Sequence, residues 1–234
     1  MGRLGAGITG HPGSGSTTLG KNMAKAVGWP RRPYYSGGVV RYLSKKKEDF
    51  GEEEALKTSV AEIIALMEVG EVPDQPKIAD AYRDFPPELD LRIDEAQATL
   101  LTTVDFDLHE GRMVWYLIKR IRETGRALDK TFITIFCTVN PAIGAWRLLK
   151  RPENSGKTIR QMLQETEERL RWEAERYQHL YGIKNHLAPE NFDIVLDTSL
   201  LNEEEAVRQV FKEIERWFEK RGQECPEELK PKVG

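Results

Sequence analysis

A glycine-rich segment near the start of the chain constrains the fold more than any other feature. Residues 10–18 read GHPGSGSTT, and they lie between an apolar segment, residues 4–9, and a segment with apolar side chains at helical spacing, residues 17–27. Glycines allow positive φ and let successive backbone N–H groups turn inward, which is how a loop between a strand and a helix holds phosphate. The segment therefore predicts a nucleotide phosphate site and disfavours a plain Gly/Ser turn.

One position in this loop departs from the usual phosphate-binding pattern. Ser16 stands where a lysine normally reaches the β- and γ-phosphates, whereas Thr17 supplies the hydroxyl that would ligate magnesium. Lys21 is the nearest substitute in sequence, but five residues along a helix span about 7.5 Å, so its ammonium would have to fold back. The predicted nucleotide contacts of the loop are Gly10, Gly13, Ser14, Gly15, Ser16, Thr17 and Thr18.

Length and composition favour one soluble α/β domain. The chain has 234 residues, of which 39% are hydrophobic, and its formal net charge is -3, so broad electrostatic binding to nucleic acid or to an anionic membrane is not expected. Cys137 and Cys225 resemble neither a disulfide framework nor a metal site. Since no signal peptide or membrane span is evident, the predicted location is cytoplasmic. The oligomeric state is open, with a monomer favoured.

Apolar runs alternate with amphipathic segments along the chain, which predicts a parallel sheet with helices on both faces. The predicted strands are residues 4–9, 34–36, 104–108, 132–139 and 192–196. The predicted helices are residues 17–27, 38–46, 53–68, 88–102, 113–123, 141–150, 158–181 and 203–220. The tail, residues 223–234, has two prolines and little to bury, so it is predicted to be disordered.

Charged residues collect at three places that suit phosphate chemistry, because phosphoryl transfer depends on positioning and positive charge. Arg41 follows the second predicted strand. Glu110 and Arg112 flank a glycine at the end of the third, where parallel sheets bind ligands. The third place is a group of basic residues: Arg147, Lys150, Arg151, Lys157, Arg160, Arg169, Arg171 and Arg176. Several of these must be surface charge, because arginines and glutamates alternate there as on any solvated helix.

Taken in order along the chain, these segments resemble the archaeal-type cytidylate kinases, within the nucleoside monophosphate kinase family of P-loop proteins. The resemblance covers most of residues 4–217. Beyond the loop it rests on the segments YSGGVVRYL, IDEAQ, EGRMVW, RLLKR, TEER, EAERY, YGI and DTS. Each segment is moderately specific, but their order is hard to obtain by accident.

The resemblance implies a single P-loop kinase domain over residues 1–222, with a five-stranded parallel sheet flanked by helices. It implies an inserted helical monophosphate-binding region at about residues 36–103 and a short lid at about residues 151–157. The implied cofactors are ATP and Mg²⁺, and the implied acceptor is CMP or dCMP. Acceptor contacts would be Ser36, Gly37, Arg41, Asp94, Gln97, Gly111 and Arg112. Catalytic residues would be Arg147, Arg151, Arg169, Arg176 and Glu110, with Thr17 and Glu110 facing the metal.

Departures from the family pattern leave three interpretations open. Glu95 and Ala96 stand where the family usually has two arginines, and Ser16 replaces the loop lysine. Losing such cations weakens a phosphoryl-transfer site, since one of them can be worth a factor of about 10³; a lid arginine is expected to compensate. The chain is therefore a CMP or dCMP kinase, a kinase for another small-molecule acceptor, or a nucleotide-binding protein without turnover. The retained Thr17, Glu110 and lid arginines favour a kinase.

Overall fold

The structure is a computed structural model that describes residues 3–29, 33–69 and 85–232. Its sheet comprises the strands β1 (Arg3–Gly10), β2 (Tyr34–Tyr35), β3 (Phe106–Glu110), β4 (Lys130–Thr138) and β5 (Ile194–Asp197). Their order is β2-β3-β1-β4-β5, and every neighbouring pair is parallel. The predicted fold class, a five-stranded parallel sheet with flanking helices, is confirmed.

The helices connect these strands in the alternating order that the sequence predicts. They are α1 (Ser16–Ala26), α2 (Ser36–Phe50), α3 (Glu52–Leu56), α4 (Val60–Val69), α5 (Pro87–Thr103), α6 (Val114–Glu123), α7 (Pro141–Leu149), α8 (Ile159–Tyr181) and α9 (Glu203–Glu219). Short 3-10 turns follow at Pro152–Asn154, Pro189–Asn191 and Glu227–Leu229.

One predicted helix, residues 53–68, is divided into α3 and α4. Ser59 causes the division, because its hydroxyl accepts a hydrogen bond from the backbone N–H of Glu62 while the Glu62 carboxylate accepts one from the Ser59 backbone. This reciprocal capping starts a new helix. The side chain of Arg92 holds the junction by donating to the carbonyl of Thr58 at 2.9 Å. The Ser-x-x-Glu signal is present in the sequence.

Four apolar clusters of buried residues lie within the described part of the chain, and two of them are much larger than the others. The main cluster lies where the central strands pack against α1 and α9, and it includes Ile8 and Ile214, both almost fully buried. A second cluster lies among α2, α4 and α5 and includes Leu43, Ile63 and Leu89. The helical region between β2 and β3 thus has a core of its own, which supports the predicted insert; its bounds at residues 36–103 stay a prediction.

The structure differs from the predicted disorder of the tail. Leu229 lies in a short 3-10 turn and is only 2% exposed, packed into the main cluster. The backbone N–H of Lys232 donates to the carbonyl of Ala26 at 2.8 Å. Residues 223–232 are therefore docked against the domain, because one apolar side chain finds a place in the core that the local sequence does not reveal.

The two cysteines lie in different environments: Cys137 is buried, whereas Cys225 is partly exposed. Cys137 and Cys225 are both free thiols, and burial raises the pKa of Cys137 to about 12, with the charge of Glu110 adding to the shift. Among the described residues, no helix is long and apolar enough to span a membrane.

Candidate functional site

The glycine-rich loop joins the carboxyl end of β1 to the start of α1, and its glycines have distinct roles. Gly13 has a φ of 79°, and a Cβ there would lie 2.4 Å from the carbonyl oxygen of Gly144. Gly15 has a φ of 82°, but a Cβ there would meet nothing within 4 Å. Both positions need the left-handed conformation that glycine adopts freely. Gly13 is therefore required both for its backbone conformation and for its packing against Gly144, whereas Gly15 is required for its conformation alone.

The start of α1 is suited to bind an anion. Gly15 is its N-cap, no described side chain caps it, and its first turn contains no acidic residue. The first backbone N–H groups of a helix lack intrahelical partners and carry the positive end of the helix dipole. Phosphate binds readily at such a helix start, and here the loop leads directly into it.

Hydrogen bonds connect the loop to the segment that follows β5. The hydroxyl of Thr198 donates to the carbonyl of Ser14 at 2.9 Å. Arg147, in the last turn of α7, donates to the carbonyls of Thr198 at 2.7 Å and of Gly13 at 3.5 Å. The guanidinium of Arg147 thus links the loop to the residue after β5, because it binds backbone oxygens of both.

A cavity of about 180 Å³ joins the loop to the carboxyl ends of β2 and β3. Its volume is below the roughly 300–1,000 Å³ of a whole ligand pocket, so the enclosed part suits the reacting phosphates and not two entire nucleotides. Every predicted loop contact except Ser14 lines it. The other predicted residues in its wall are Ser36, Gly37, Arg41, Glu110, Gly111, Arg112, Arg151 and Arg169. Residues predicted from distant parts of the chain therefore surround one space.

Glu110 lies at the point where the loop and β3 meet. Ser16 Oγ donates a hydrogen bond to Glu110 Oε1 at 3.0 Å. Burial raises the pKa of Glu110, and the Ser16 hydrogen bond and the charge of Arg112 oppose that shift. Thr17 lines the same cavity. Carboxylate and hydroxyl oxygens are ligands that Mg²⁺ prefers, so Glu110 and Thr17 fit a magnesium-facing role.

Arg112 is oriented by contacts on two sides. Its Nε lies 3.0 Å from Oε2 of Glu173, and its Nη1 donates to the carbonyl of Gly10 in the loop. The other carboxylate oxygen of Glu173 accepts a hydrogen bond from Nε of Arg169 at 2.8 Å. Burial alone would raise the pKa of Glu173, but the charges of Arg112 and Arg169 outweigh burial and hold it well below its usual range. Glu173 therefore stays ionised between the two arginines.

Five residues at or near the cavity are not among the predicted site residues: His11, Pro12, Tyr35, Leu148 and Glu173. Tyr35 accepts a hydrogen bond from Arg41 at 3.1 Å, and the guanidinium of Arg41 lies 5.1 Å from the Tyr35 ring centre. The ring of His11 packs edge-on against Phe136, with centres 5.0 Å apart. Burial, and then the charge of Arg112, lower the pKa of His11. The i to i+4 spacing of Arg169 and Glu173 was a readable signal.

Comparison of the whole sequence with known proteins identifies relatives of this chain. No protein-family model matches the chain. The chain is 28% identical over 197 residues to the cytidylate kinase of Methanothrix thermoacetophila, covering 84% of this chain and 89% of that protein. It is 25% identical over 214 residues to the cytidylate kinase of Pyrococcus abyssi, covering 91% and 94%.

The chain is similar to the archaeal cytidylate kinases. The similarity covers most of the chain, which confirms the resemblance inferred from the motifs. Among solved structures, an uncharacterized protein from Eubacterium ventriosum superposes with a TM-score of 0.55 at 11% identity, covering 90% of this chain and 97% of that chain. That likeness shows a shared fold alone.

Five of the predicted site residues lie outside the cavity wall: Ser14, predicted from the loop, and Asp94, Gln97, Arg147 and Arg176, implied by the resemblance. The side chain of Ser14 is buried beneath the loop. Arg147 binds the backbone carbonyls described above. For all five, the roles in binding or catalysis stay predictions.

The other three residues lie between the insert and α8. Arg176 forms an ion pair with Asp90 and donates to the carbonyl of Phe85 at 2.7 Å. Asp94 accepts a hydrogen bond from the hydroxyl of Tyr181. Gln97 is 2% exposed, and its Nε2 lies 3.6 Å from where a Cβ of Gly111 would be, so it is placed directly behind the cavity wall. Arg176 therefore serves the packing of α5 against α8.

The departures from the cytidylate kinase pattern also have clear locations. Glu95 is exposed on α5, whereas Ala96 is fully buried in the core of the insert, and neither lines the cavity. Lys21 is exposed on α1 and is not part of the wall. Arg151 and Arg169 do reach the wall. Arginines from the segment after α7 and from α8 thus line the cavity together with Arg41 and Arg112.

Proposed function

We propose that this chain is an ATP-dependent nucleoside monophosphate kinase that converts CMP or dCMP to the diphosphate, with magnesium as cofactor. The observation that carries this proposal is one cavity that is lined by the glycine-rich loop and also by Arg41 and Arg112. Transfer between two phosphates needs both held in line within one positively charged space. The similarity to the Methanothrix and Pyrococcus cytidylate kinases supports the acceptor class.

The donor side is the loop and the start of α1. The backbone N–H groups around Gly15 would hold the β- and γ-phosphates of ATP. Thr17 and Glu110 would face the magnesium, which when bound neutralises charge on the transferring phosphate. Because a Cβ at Gly15 would project into empty space within the cavity wall, this position leaves room for a phosphate close to the backbone.

The acceptor side is formed at the ends of β2 and β3. Arg41 and Arg112 would each present a planar fork of donors to the phosphate of CMP. Gly111 permits the close approach of the two strand ends, because a Cβ there would lie 2.4 Å from Oγ of Ser36. In the reaction, an oxygen of the CMP phosphate forms a bond to the γ-phosphorus while the bond from that phosphorus to the bridging oxygen of ADP breaks.

Arg151 and Arg169 would replace the charge of the missing lysine. Both line the cavity, and Arg151 lies at the start of the predicted lid, residues 151–157. Charge spreads over the equatorial oxygens in the transition state, so an arginine from the opposite wall can stabilise it as well as a lysine from the loop. Arg147 would act on the loop itself, by fixing its carbonyls from below.

A second candidate function is nucleotide binding without turnover. It is favoured by the hydrogen bond of Ser16 to Glu110, because a neutral hydroxyl occupies the place of a catalytic cation and engages the metal-facing carboxylate. Binding of a nucleotide needs the loop and the helix start, both of which are present, whereas transfer also needs the charge.

An acceptor screen separates these functions. The protein is incubated with Mg·ATP and each nucleoside monophosphate in turn, then with unrelated alcohols and acids, and ADP release is measured. Release with CMP and dCMP above the other acceptors is the expected result. ADP release with a different acceptor alone would replace the proposed substrate, and calorimetric binding of Mg·ATP without any release would favour the binding protein. Arg112→Ala serves as the variant that should lose acceptor use.

A further inference from the structure

Glu173 is a buried carboxylate that the proposed reaction does not use directly. It lies in the middle of α8, and its side chain is only 2% exposed. Its two oxygens face two arginines from different parts of the chain, Arg112 after β3 and Arg169 one turn earlier on α8. Buried charges are rare unless they are paired, and the two arginines provide that pairing here.

The two arginines pair with Glu173 in different ways. Nε of Arg169 donates a hydrogen bond of 2.8 Å to Oε1, whereas Nε of Arg112 lies 3.0 Å from Oε2 in an ion pair without a hydrogen bond. A guanidinium has five N–H donors in a rigid plane, so fixing Nε also fixes the direction of the remaining donors. Both arginines line the cavity. The carboxylate therefore fixes the orientation of Arg169 by a hydrogen bond and holds Arg112 beside it by opposite charge.

We propose that Glu173 is a positioning residue: it holds Arg112 and Arg169 side by side so that their remaining donors converge on a phosphate in the cavity. The inference rests on the proposed function and adds a residue that orients the phosphate-binding side chains. Arg41 and Arg151 line the same cavity, so four guanidinium groups repel one another there. One buried negative charge behind two of them reduces this repulsion and keeps them in place.

The same carboxylate connects elements that the reaction must align. Arg112 also donates to the carbonyl of Gly10, so a chain of contacts runs from the loop through Arg112 and Glu173 to α8. His186 also lies close, with its Nε2 3.6 Å from Oε2 of Glu173, so within the described residues Glu173 faces one histidine and the two arginines Arg112 and Arg169. Since Ser16 carries no charge, placement of these arginines matters more here than in a loop with its lysine.

The test compares Glu173→Gln with Glu175→Gln, a matched change at an exposed position two residues further along α8. For Glu173→Gln, KM for CMP should rise by about 10- to 100-fold, the range seen when a group that orients a binding residue is removed. KM for ATP should change far less. Glu173→Asp keeps the charge and should recover part of the CMP affinity, whereas Glu175→Gln should match the parent protein.

Melting temperatures of the variants separate positioning from simple stability. If Glu173→Gln lowers the melting temperature but leaves KM for CMP unchanged, the carboxylate is structural only and the proposal is overturned. Should Glu173→Gln fail to fold, Glu173→Asp carries the same test, with an intermediate rise in KM expected and an unchanged KM contradicting the proposal.

A readout without turnover distinguishes failure of this proposal from failure of the proposed function. If the parent protein transfers no phosphate to any nucleoside monophosphate, the proposed function is wrong, and side-chain NMR then decides the role of Glu173. The Nε–Hε signal of Arg169, assigned from an Arg169→Lys variant, should be protected from exchange in the parent and lose that protection in Glu173→Gln. A signal that stays protected in Glu173→Gln would overturn the positioning role.

Discussion

Ser16 Oγ and Glu110 Oε1 are joined by a hydrogen bond of 3.0 Å, although the two residues are 94 positions apart in the chain. The residue that departs from the loop pattern is therefore engaged with the carboxylate expected to face the metal. Because the hydrogen bond opposes the effect of burial on the pKa of Glu110, the serine helps to keep that carboxylate ionised.

Removing the Ser16 hydroxyl should shift the pH dependence of turnover. In Ser16→Ala the hydrogen bond that lowers the pKa of Glu110 is lost, so that pKa rises and the acidic limb of the pH–rate profile moves to higher pH. Steady-state rates across the acidic range, with CMP and Mg·ATP saturating, measure the shift. If the acidic limb does not move, the hydrogen bond from Ser16 does not control the ionisation of Glu110 during turnover.

Restoring a lysine at position 16 should change turnover only modestly. Arg151 and Arg169 already line the cavity, so the added cation duplicates charge that is present. The kcat of Ser16→Lys, compared with that of the parent protein, tests this expectation. A steep rise would mean that the site lacks charge, and the absence of turnover in both proteins would favour the binding function.

Arg169 should be far more important than its neighbour Arg171. Arg169 lines the cavity and bonds to Glu173, whereas Arg171 is exposed on the same helix. Arg169→Ala should lower kcat by a factor of about 10³, the scale for an arginine that stabilises the transferring phosphate. Arg171→Ala is the matched control and should leave kcat unchanged; similar effects of the two substitutions would reject the assignment.

Substitutions at the two loop glycines Gly13 and Gly15 should have different effects, one mainly on stability and the other mainly on nucleotide binding. Gly15→Ala costs about 1–2 kcal/mol through its left-handed backbone and should chiefly weaken nucleotide binding, because it lines the cavity. Gly13→Ala adds a contact of 2.4 Å with the Gly144 carbonyl and should lower the melting temperature more. Calorimetry with Mg·ATP and thermal unfolding of both variants provide the two measurements. Equal melting temperatures would argue against the packing role of Gly13.

Asp94 should make stability depend on pH near neutrality. Burial raises its pKa to about 7, against the hydrogen bond from Tyr181, and Asp90 adds to the rise. The unfolded value is about 3.9, so between about pH 4 and 7 the folded state binds more protons and the free energy of unfolding falls as pH rises. Asp94→Asn should flatten this dependence. Urea unfolding at several pH values tests it, with Glu95→Gln on the exposed face of α5 as control.

In Asp94→Asn, the free energy of unfolding should still fall as pH rises, but with a smaller slope. Burial also raises the pKa of Asp90, to about 6, despite its ion pair with Arg176. The remaining loss of stability should therefore end at a lower pH than in the parent protein. An unchanged slope up to neutral pH would show that Asp94 is not the titrating group.

Local chemistry in the sequence determined the fold class and the centre of the site. The glycines of residues 10–18 allow only a few loop conformations, and the apolar runs on either side require a buried strand and an amphipathic helix. The carboxyl end of β3 places Glu110 and Arg112 beside that loop, because parallel strands end at one edge of a sheet. The split between α3 and α4 could also have been predicted from the capping pattern at Ser59.

Only the tertiary structure decided which charged residues of α8 reach the cavity. Arg169, Glu173 and Arg176 are spaced by four and three residues, so helical periodicity puts all three on one face and cannot distinguish them. Seven residues along a helix span about 10.5 Å. At one end of that span Arg169 reaches the cavity, and at the other Arg176 meets Asp90 from α5. The contacts depend on how far α8 runs past the sheet, which arises from packing between distant segments and not from any local pattern.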